Sequence, residues 1–358
     1  MTNQADASIV KTEIFFLAYA KESTHQPVVK YSEDGGVTWK SGKFPGFTVP
    51  TYFTGIGAFS SGFNYVVMID DTEANKIRFC RGLGIDTWDT PASHYSVQGS
   101  VTPTSPPSGA SVNKDLFLVV YRTTGNVIAL QVYDIHQDKF ISTSNWGSNV
   151  WGRPAIIYED GTILMAWTGD GTLNTAVGSM AGDSPTFSSI QEVTIPYREG
   201  WGILSHGDPD ITHNGTHYLM TVIRKHIEQT TYYSAFLFSS LDGVTWQEER
   251  RLGQTCPNGA HANIAATSDG TAFFADVDNH DGEITAMKYT SSGGWTAFDE
   301  ASMFGVTVAS YEDQFALVSL LMEEIHLDDD SGFELLFLTA PLALITVVMF
   351  RNHKRQIK

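Results

Sequence analysis

Apolar residues in this chain fall in short runs broken by polar turns, and the runs return in a fixed order. Ala155-Ile-Ile-Tyr-Glu-Asp-Gly-Thr-Ile-Leu-Met-Ala-Trp167 reads as strand, turn, strand. Asp210-Ile-Thr-His-Asn-Gly-Thr-His-Tyr-Leu-Met-Thr-Val222 and Asn263-Ile-Ala-Ala-Thr-Ser-Asp-Gly-Thr-Ala-Phe-Phe-Ala275 repeat the layout. Asp-Gly or Asn-Gly holds each turn, where a positive φ is needed and costs these residues least. Alternation with a period of two, rich in β-branched and aromatic residues, predicts strands on both flanks. An aromatic closes each unit, at Trp39, Trp88, Phe140, Phe187, Trp246 and Trp295, spaced 49, 52, 47, 59 and 49 residues apart. Four strands per unit of roughly 40–50 residues is the signature of a propeller blade.

The units run over residues 8–45, 52–94, the stretch after the Pro-rich connector Val101–Ser108 to Phe140, 151–187, 206–246 and 261–295. Residues 306–322 align with the first two strands of a further unit, and the acidic stretch Glu323–Ser331 leaves little room for an outer pair. The expected fold is therefore all-β, a β-propeller of four-stranded antiparallel blades. Seven blades with the last incomplete or strand-swapped is the first expectation. Six blades plus an extra hairpin is the second.

Two hairpins carry a sharper signal. Ser32-Glu-Asp34-Gly-Gly36-Val-Thr38-Trp39 reads S-x-D-x-G-x-T-W, and Ser239-Ser-Leu-Asp242-Gly-Val-Thr-Trp246 repeats it with the aspartate displaced by one. This is an Asp box, and over residues 8–304 the chain resembles the sialidase-type (BNR) β-propellers. The resemblance implies that Asp34 and Asp242 are structural, accepting backbone N–H groups in turns between third and fourth strands. It also implies a ligand funnel where the innermost strands begin. Sialidases of this type open their first blade with F/Y-R-I-P, hold a carboxylate with three arginines, and use a Tyr–Glu pair with an Asp acid/base. This chain has no such opening; the nearest echo is Gly152-Arg-Pro-Ala155. Of its ten arginines only Arg153 heads an inner strand, so an intact sialidase set is not expected.

Charge narrows the partners. The formal net charge is −18. The last eight residues carry Arg351, Lys354, Arg355 and Lys358 and no acid, so the rest is more acidic still. Such a body repels phosphate backbones, which excludes nucleic acid as the expected partner. Cys80 and Cys256 fall in different units and read as two thiols rather than a disulfide or a zinc site.

The chain divides into a propeller, residues 1–330, and a tail, residues 331–358. From Phe333 to Phe350 the tail is apolar apart from Glu334, Thr339, Pro341 and Thr346, and Arg351-Asn-His-Lys-Arg355 follows. Acid, apolar run, base is the layout of a C-terminal membrane anchor with its basic end in the cytoplasm. The tail also resembles the C-terminal sorting segments of archaeal surface proteins, which implies a cell-surface location, although no secretory signal is visible. The alternative is that Phe333–Leu338 and Ile345–Phe350 are outer or closing strands of the last blade.

Candidate chemistry lies where inner strands open: Tyr52, Trp151, Arg153, Trp201, His206, Asp208, His261 and Asn263. Trp151, Trp201 and Tyr52 offer flat faces of the kind that stack on sugar rings, and polar neighbours read hydroxyls; packing between blades is the alternative use. Asp208, in His206-Gly-Asp-Pro-Asp210, resembles the aspartate that acts as base at the head of a blade in five-bladed glycosidases. Hydrolysis then needs a partner such as Glu199, Asp276 or Glu283. Otherwise Asp208 caps the loop and Pro209 fixes its edge. His206 and His261 with Asp208 form a possible metal set. Asp276, Asp278 and Asp281 have the oxygen density of a calcium loop, one residue too long for D-x-D-x-D-G. No cofactor is otherwise expected. Three functions follow: an extracellular propeller binding a glycan or another ligand at its funnel, a glycoside hydrolase using Asp208, or a protein-interaction scaffold.

Overall fold

The computed structural model describes residues 8–21, 26–33, 38, 40–41, 53–58, 63–70, 76–83, 87–88, 95–96, 103–105, 107–113, 116–134, 137, 139–188, 190–194, 200–203, 207–228, 233–255, 263–267, 270–277, 284–290, 294–297 and 315–326. By its internal contacts the chain divides into Glu13–Met322 and a second unit of Met1–Thr12 with Glu323–Lys358. Blades two to six belong to the first. No helix among the described residues is long and apolar enough to cross a membrane. The tail segment 331–358 and Cys256 lie outside the described residues.

The described strands form six antiparallel sheets, the blades of a β-propeller. Blade one holds β1 (Ser8–Lys21), β2 (Gln26–Ser32) and β3 (Lys40–Ser41). Blade two holds β4 (Phe53–Ala58), β5 (Phe63–Asp70), β6 (Lys76–Leu83), β7 (Thr87–Trp88) and β8 (Tyr95–Ser96), which pairs with β6. Blade three is β9 (Ser108–Ser111), β10 (Leu116–Arg122), β11 (Ile128–Asp134) and β12 (Lys139–Trp146). Blade four is β13 (Ala155–Glu159), β14 (Thr162–Gly169), β15 (Thr172–Ala181) and β16 (Ser184–Phe187), with β17 (Gln191–Glu192) on β15. Blade five holds β18 (Trp201–Ile203), β19 (Asp210–His213), β20 (Tyr218–His226), β21 (Tyr233–Ser240) and β22 (Gln247–Thr255). Blade six is β23 (Asn263–Ala266), β24 (Ala272–Val277), β25 (Ile284–Thr290) and β26 (Gly294–Ala297).

The last described strand is β27 (Phe315–His326). It pairs with β1, so blade one reads β27-β1-β2-β3 and its first position is filled from the other end of the chain. The apolar pattern of residues 306–322 predicts two strands; residues 315–322 belong to the single strand β27, and 306–314 lie outside the described residues. The pattern carried no information about which sheet that strand would join.

The second strands of blades three, four and five are buried on both faces over most of their length. β10 (LFLVVYR) and β14 (TILMAWTG) are buried almost throughout, whereas outer β16 alternates exposed and half-buried. Middle strands therefore read as continuous apolar runs. Among the described residues, three clusters fill gaps between blades. Leu118, Leu130, Ile163 and Trp167 join blades three and four; Leu164, Met220, Val222 and Phe236 join four and five; Ile223, Leu237, Ile264 and Phe274 join five and six. Burying one such side chain contributes about 1.5–3 kcal/mol.

Turn chemistry follows the sequence. Asp160 and Gly161 both have positive φ (46° and 84°) and connect β13 to β14 as a two-residue hairpin. Asp242 Oδ1 accepts the N–H groups of Val244 (2.8 Å) and Thr245 (2.7 Å), and Trp246 Nε1 donates to the carbonyl of Gly243 (3.2 Å). The carboxylate thus does in the turn what was expected of it. Asp34 lies outside the described residues.

First strands of successive blades lie side by side without pairing, which leaves backbone donors to be satisfied. Side chains supply the acceptors. Ser108 Oγ accepts from Ile156 N–H (3.3 Å), Asp210 Oδ2 from Ile264 N–H (3.0 Å) and Thr212 Oγ1 from Ala266 N–H (3.0 Å).

Candidate functional site

Blades three, four and five open in the same way. In each, the chain pairs briefly with the end of the second strand, leaves it, and returns as the first strand. In blade three, Pro103 bridges Thr123 and Thr104 N–H donates to the Arg122 carbonyl (2.8 Å), before β9 begins at Ser108. In blade four, Val150 bridges Gly169 and Trp151 N–H donates to the Thr168 carbonyl (3.0 Å), before β13 begins at Ala155. In blade five the division is larger. β18 pairs with residues 224–226 of β20, and β19 pairs with residues 218–221 of the same strand. Blade five thus begins at Trp201, not at His206. Proline precedes each return, as Pro107, Pro154 and Pro209. It needs no partner for a missing N–H and favours extended backbone in the residue before it.

These excursions meet at the head of blade four. Arg153 N–H donates to Asp208 Oδ1 at 2.5 Å. Gly152 lies between them, and a Cβ there would come within 2.5 Å of Thr168 Oγ1 and 2.6 Å of Asp208 Oδ1. Only glycine lets the two loops approach this closely. From the other side Arg122 holds the loop. Its Nη1 donates to the Trp151 carbonyl, while Nε and Nη2 donate to Thr104 Oγ1 (3.0 Å) and the Thr104 carbonyl (2.8 Å). Burial lowers the Arg122 pKa from its usual value, and the charge of Asp208 partly offsets this. Trp151 is thereby fixed through both its N–H and its carbonyl, and the residue remains 37 % exposed.

Arg153 and Asp208 are buried, at 4 % and 6 % exposure. Asp208 is committed to the Arg153 main chain, and so acts as a pin between loops. Arg153 Nε has no hydrogen-bond partner. Buried Tyr121, beside Arg122 in sequence, has its phenol pushed up to about 12 by burial.

Trp201 belongs to the packing between blades four and five. Its ring meets His226 and Phe236 edge-on, with centroids 5.1 and 5.2 Å away, and the Arg251 guanidinium lies 5.0 Å from its centre. Its carbonyl accepts from Arg224 Nη2 (3.0 Å), and Arg224 pairs with Glu248 at 2.8 Å. Asn263 is fully buried at the start of β23.

Of the remaining sequence candidates, Tyr52, His206, His261, Asp278 and Asp281 lie outside the described residues, as do Glu199 and Glu283. Asp276 lies in β24. Among the described residues no group of three His, Cys, Asp or Glu side chains is placed to hold a metal ion.

Arg122 and Arg224 escaped the sequence reading, which searched only the heads of first strands. Both lie near the C-terminal ends of second strands. Antiparallel pairing returns that end to the head of the first strand, so position along the second strand was the available signal.

No protein-family model matches the chain, and neither does any curated protein. Solved structures do. The chain is similar to SapL1 lectin in complex with alpha methyl fucoside, at 15% identity and a TM-score of 0.50, over 79% of this chain and 95% of that one. It is similar to a mutant Aleuria aurantia lectin in complex with Fucalpha1-6GlcNAc, at 12% identity and a TM-score of 0.52, over 82% and 94%. A triple mutant of AofleA from Arthrobotrys oligospora matches at 11% identity and a TM-score of 0.51, over 86% and 93%. At these identities the likeness is one of fold.

Proposed function

We propose that this chain is a glycan-binding propeller that takes its ligand at the heads of blades three to five and does not cleave it. The observation that carries the reading is Trp151, an exposed aromatic whose backbone is anchored on both sides. A sugar ring stacks on such a face at little entropic cost, because the platform is already ordered. Buried polar groups next to it supply orientation. The ligands of the similar structures, alpha methyl fucoside and Fucalpha1-6GlcNAc, support a sugar as the ligand class.

The hydrolase reading is weaker. Asp208 is buried and its Oδ1 is engaged in holding the Arg153 main chain, whereas a general base must be reached by its water. The apolar tail motivates a cell-surface setting in which the propeller faces outward.

The test is a glycan array probed with the full chain in detergent, beside a panel of chromogenic glycosides. We expect binding without turnover, and Trp151→Ala weakening it about tenfold or more. Turnover that vanishes in Asp208→Asn would refute the lectin reading in favour of the hydrolase. Binding unchanged in Trp151→Ala would move the site elsewhere.

A further inference from the structure

One turn of blade five carries a motif that the ligand site leaves unused. Asn214-Gly215-Thr216 holds the chain's single asparagine that is followed two residues later by serine or threonine, with no proline between them. That pattern is an acceptor signature for N-linked glycosylation. Asn-Gly is also a common turn former, so the sequence alone leaves both uses open.

The segment forms the turn between β19 and β20. Asn214 N–H donates to the His217 carbonyl (3.1 Å), and Gly215 takes a φ of 86°. Gly215 and Thr216 are exposed, and Asn214 is half-buried. Asn214 Oδ1 accepts from Thr216 N–H (3.1 Å), Thr216 Oγ1 (3.0 Å) and His217 N–H (2.8 Å). Two of these donors are backbone N–H groups, which fixes which side-chain atom is the oxygen. All three bonds fall on that oxygen. Nδ2, the atom a sugar joins, donates to no protein group among the described residues. The Thr216 hydroxyl lies against the same carboxamide, so the two side chains that define an acceptor sit side by side on a surface turn.

β19 starts at the blade head and runs away from it, so this turn lies at the far end of blade five from Trp151 and Asp208. A sugar chain there leaves the heads open. The neighbouring turn at the same end, between β21 and β22, exposes Leu241 (75 %) and Val244 (44 %). Tyr218 pairs with Ser240 across the two strands that carry these turns. A bulky, hydrated group on Asn214 would shield those apolar side chains from other molecules.

We propose that Asn214 is an N-glycosylation acceptor, taking an oligosaccharide from a lipid-diphosphate-linked donor through a transferase outside the cytoplasm. The step is a substitution. Nδ2 forms a bond to the anomeric carbon, the bond from that carbon to the diphosphate oxygen breaks, and its electron pair leaves with the lipid diphosphate. One Nδ2 proton passes to a base of the transferase. The proposal goes beyond the glycan-binding reading and shares with it only the outward-facing setting.

The test takes the full chain in detergent with a purified oligosaccharyltransferase and a lipid-diphosphate-linked oligosaccharide, beside the full chain isolated from the cells that make it. Intact mass and peptide mapping read the product. We expect one oligosaccharide per chain, on the peptide holding Asn214, in both samples. Thr216→Ala keeps Asn214 and both backbone donors, removes the hydroxyl, and should lose the addition. Thr216→Ser restores the hydroxyl and should retain it. Urea unfolding checks that Thr216→Ala is folded. No addition to the parent while a free acceptor peptide is modified overturns the inference. So does an addition that survives Thr216→Ala, or a bare Asn214 in the chain from its own cells.

Discussion

Replacing Gly152 by alanine tests the loop junction with a single methyl group. The position has no left-handed φ, so the substitution introduces no backbone strain of its own. Its whole effect is steric. The new Cβ would lie 2.5 Å from Thr168 Oγ1 and 2.6 Å from Asp208 Oδ1, about an ångström inside ordinary contact. If the loops hold and absorb the clash, overpacking costs about 1–3 kcal/mol. If Asp208 retreats instead, its hydrogen bond to Arg153 N–H is lost, and a bond to a charged acceptor is worth about 1.5–3 kcal/mol. Either route destabilises the fold by at least about 1 kcal/mol, and both displace the residues on each side of Gly152, Trp151 and Arg153. Urea unfolding followed by tryptophan fluorescence measures the first effect, and glycan titration measures the second. Gly161→Ala is the control. Gly161 has a φ of 84° and nothing within 4 Å of its would-be Cβ. Alanine there costs about 1–2 kcal/mol in left-handed strain and should leave binding untouched. A Gly152→Ala variant within about 0.5 kcal/mol of the parent, with binding intact, would refute the close approach of the two loops.

Other outcomes follow from the same geometry. Asp208→Asn keeps an oxygen that accepts from Arg153 N–H and should bind ligand nearly as the parent does, whereas Asp208→Ala should not; paired titrations of the two variants check this. Arg224→Met leaves the half-buried Glu248 without its cation and should cost about 1–3 kcal/mol in denaturant unfolding, while Arg224→Met combined with Glu248→Leu costs clearly less. Backbone donation from Thr245 and then Val244 holds the Asp242 pKa below its usual value. A lowered folded-state pKa means that the stabilisation is present above the unfolded value and lost as pH falls through the folded one. Asp242→Ala should therefore be less stable at neutral pH, and the gap should close in acid below about pH 4, read from unfolding midpoints across pH. The apolar tail should send the full chain into the detergent phase on cloud-point partitioning and leave residues 1–330 in the aqueous phase; equal partitioning would count against an anchor.

Local pattern revealed local structure. Asp160-Gly161 was legible as a hairpin because a dipeptide decides its own φ values, and Asp242 as a turn acceptor because its donors lie two and three residues away. The blade count was not legible in the same way. Whether β27 begins a sheet or completes one depends on a partner, β1, that is distant in sequence, and strand patterning is blind to pairing over that range. The site was half legible. Trp151, Arg153 and Asp208 were named because they stand at the heads of first strands, and the fold brings them together at the head of blade four. Trp201 heads one too, yet it is used in packing between blades four and five, since its face is covered by His226, Phe236 and Arg251. Exposure, which separates a platform from a core aromatic, is a tertiary property.

The contrast between cores and heads suggests where the specificity of this propeller resides. Strand registers and apolar clusters repeat from blade to blade with interchangeable residues, because each gap between blades asks only for volume and dryness. The heads repeat in backbone path and differ in chemistry. Ser105 Oγ accepts from Arg122 N–H in blade three, Arg153 brings a buried guanidinium in blade four, and Asp208 brings an acceptor in blade five. These differences also cross blade boundaries: Arg122 holds the loop of blade four, and Asp208 holds it from the opposite side. A substitution in a core cluster should thus change stability and leave ligand choice alone. One at a head should change ligand choice, and should do so through a neighbouring blade as readily as through its own.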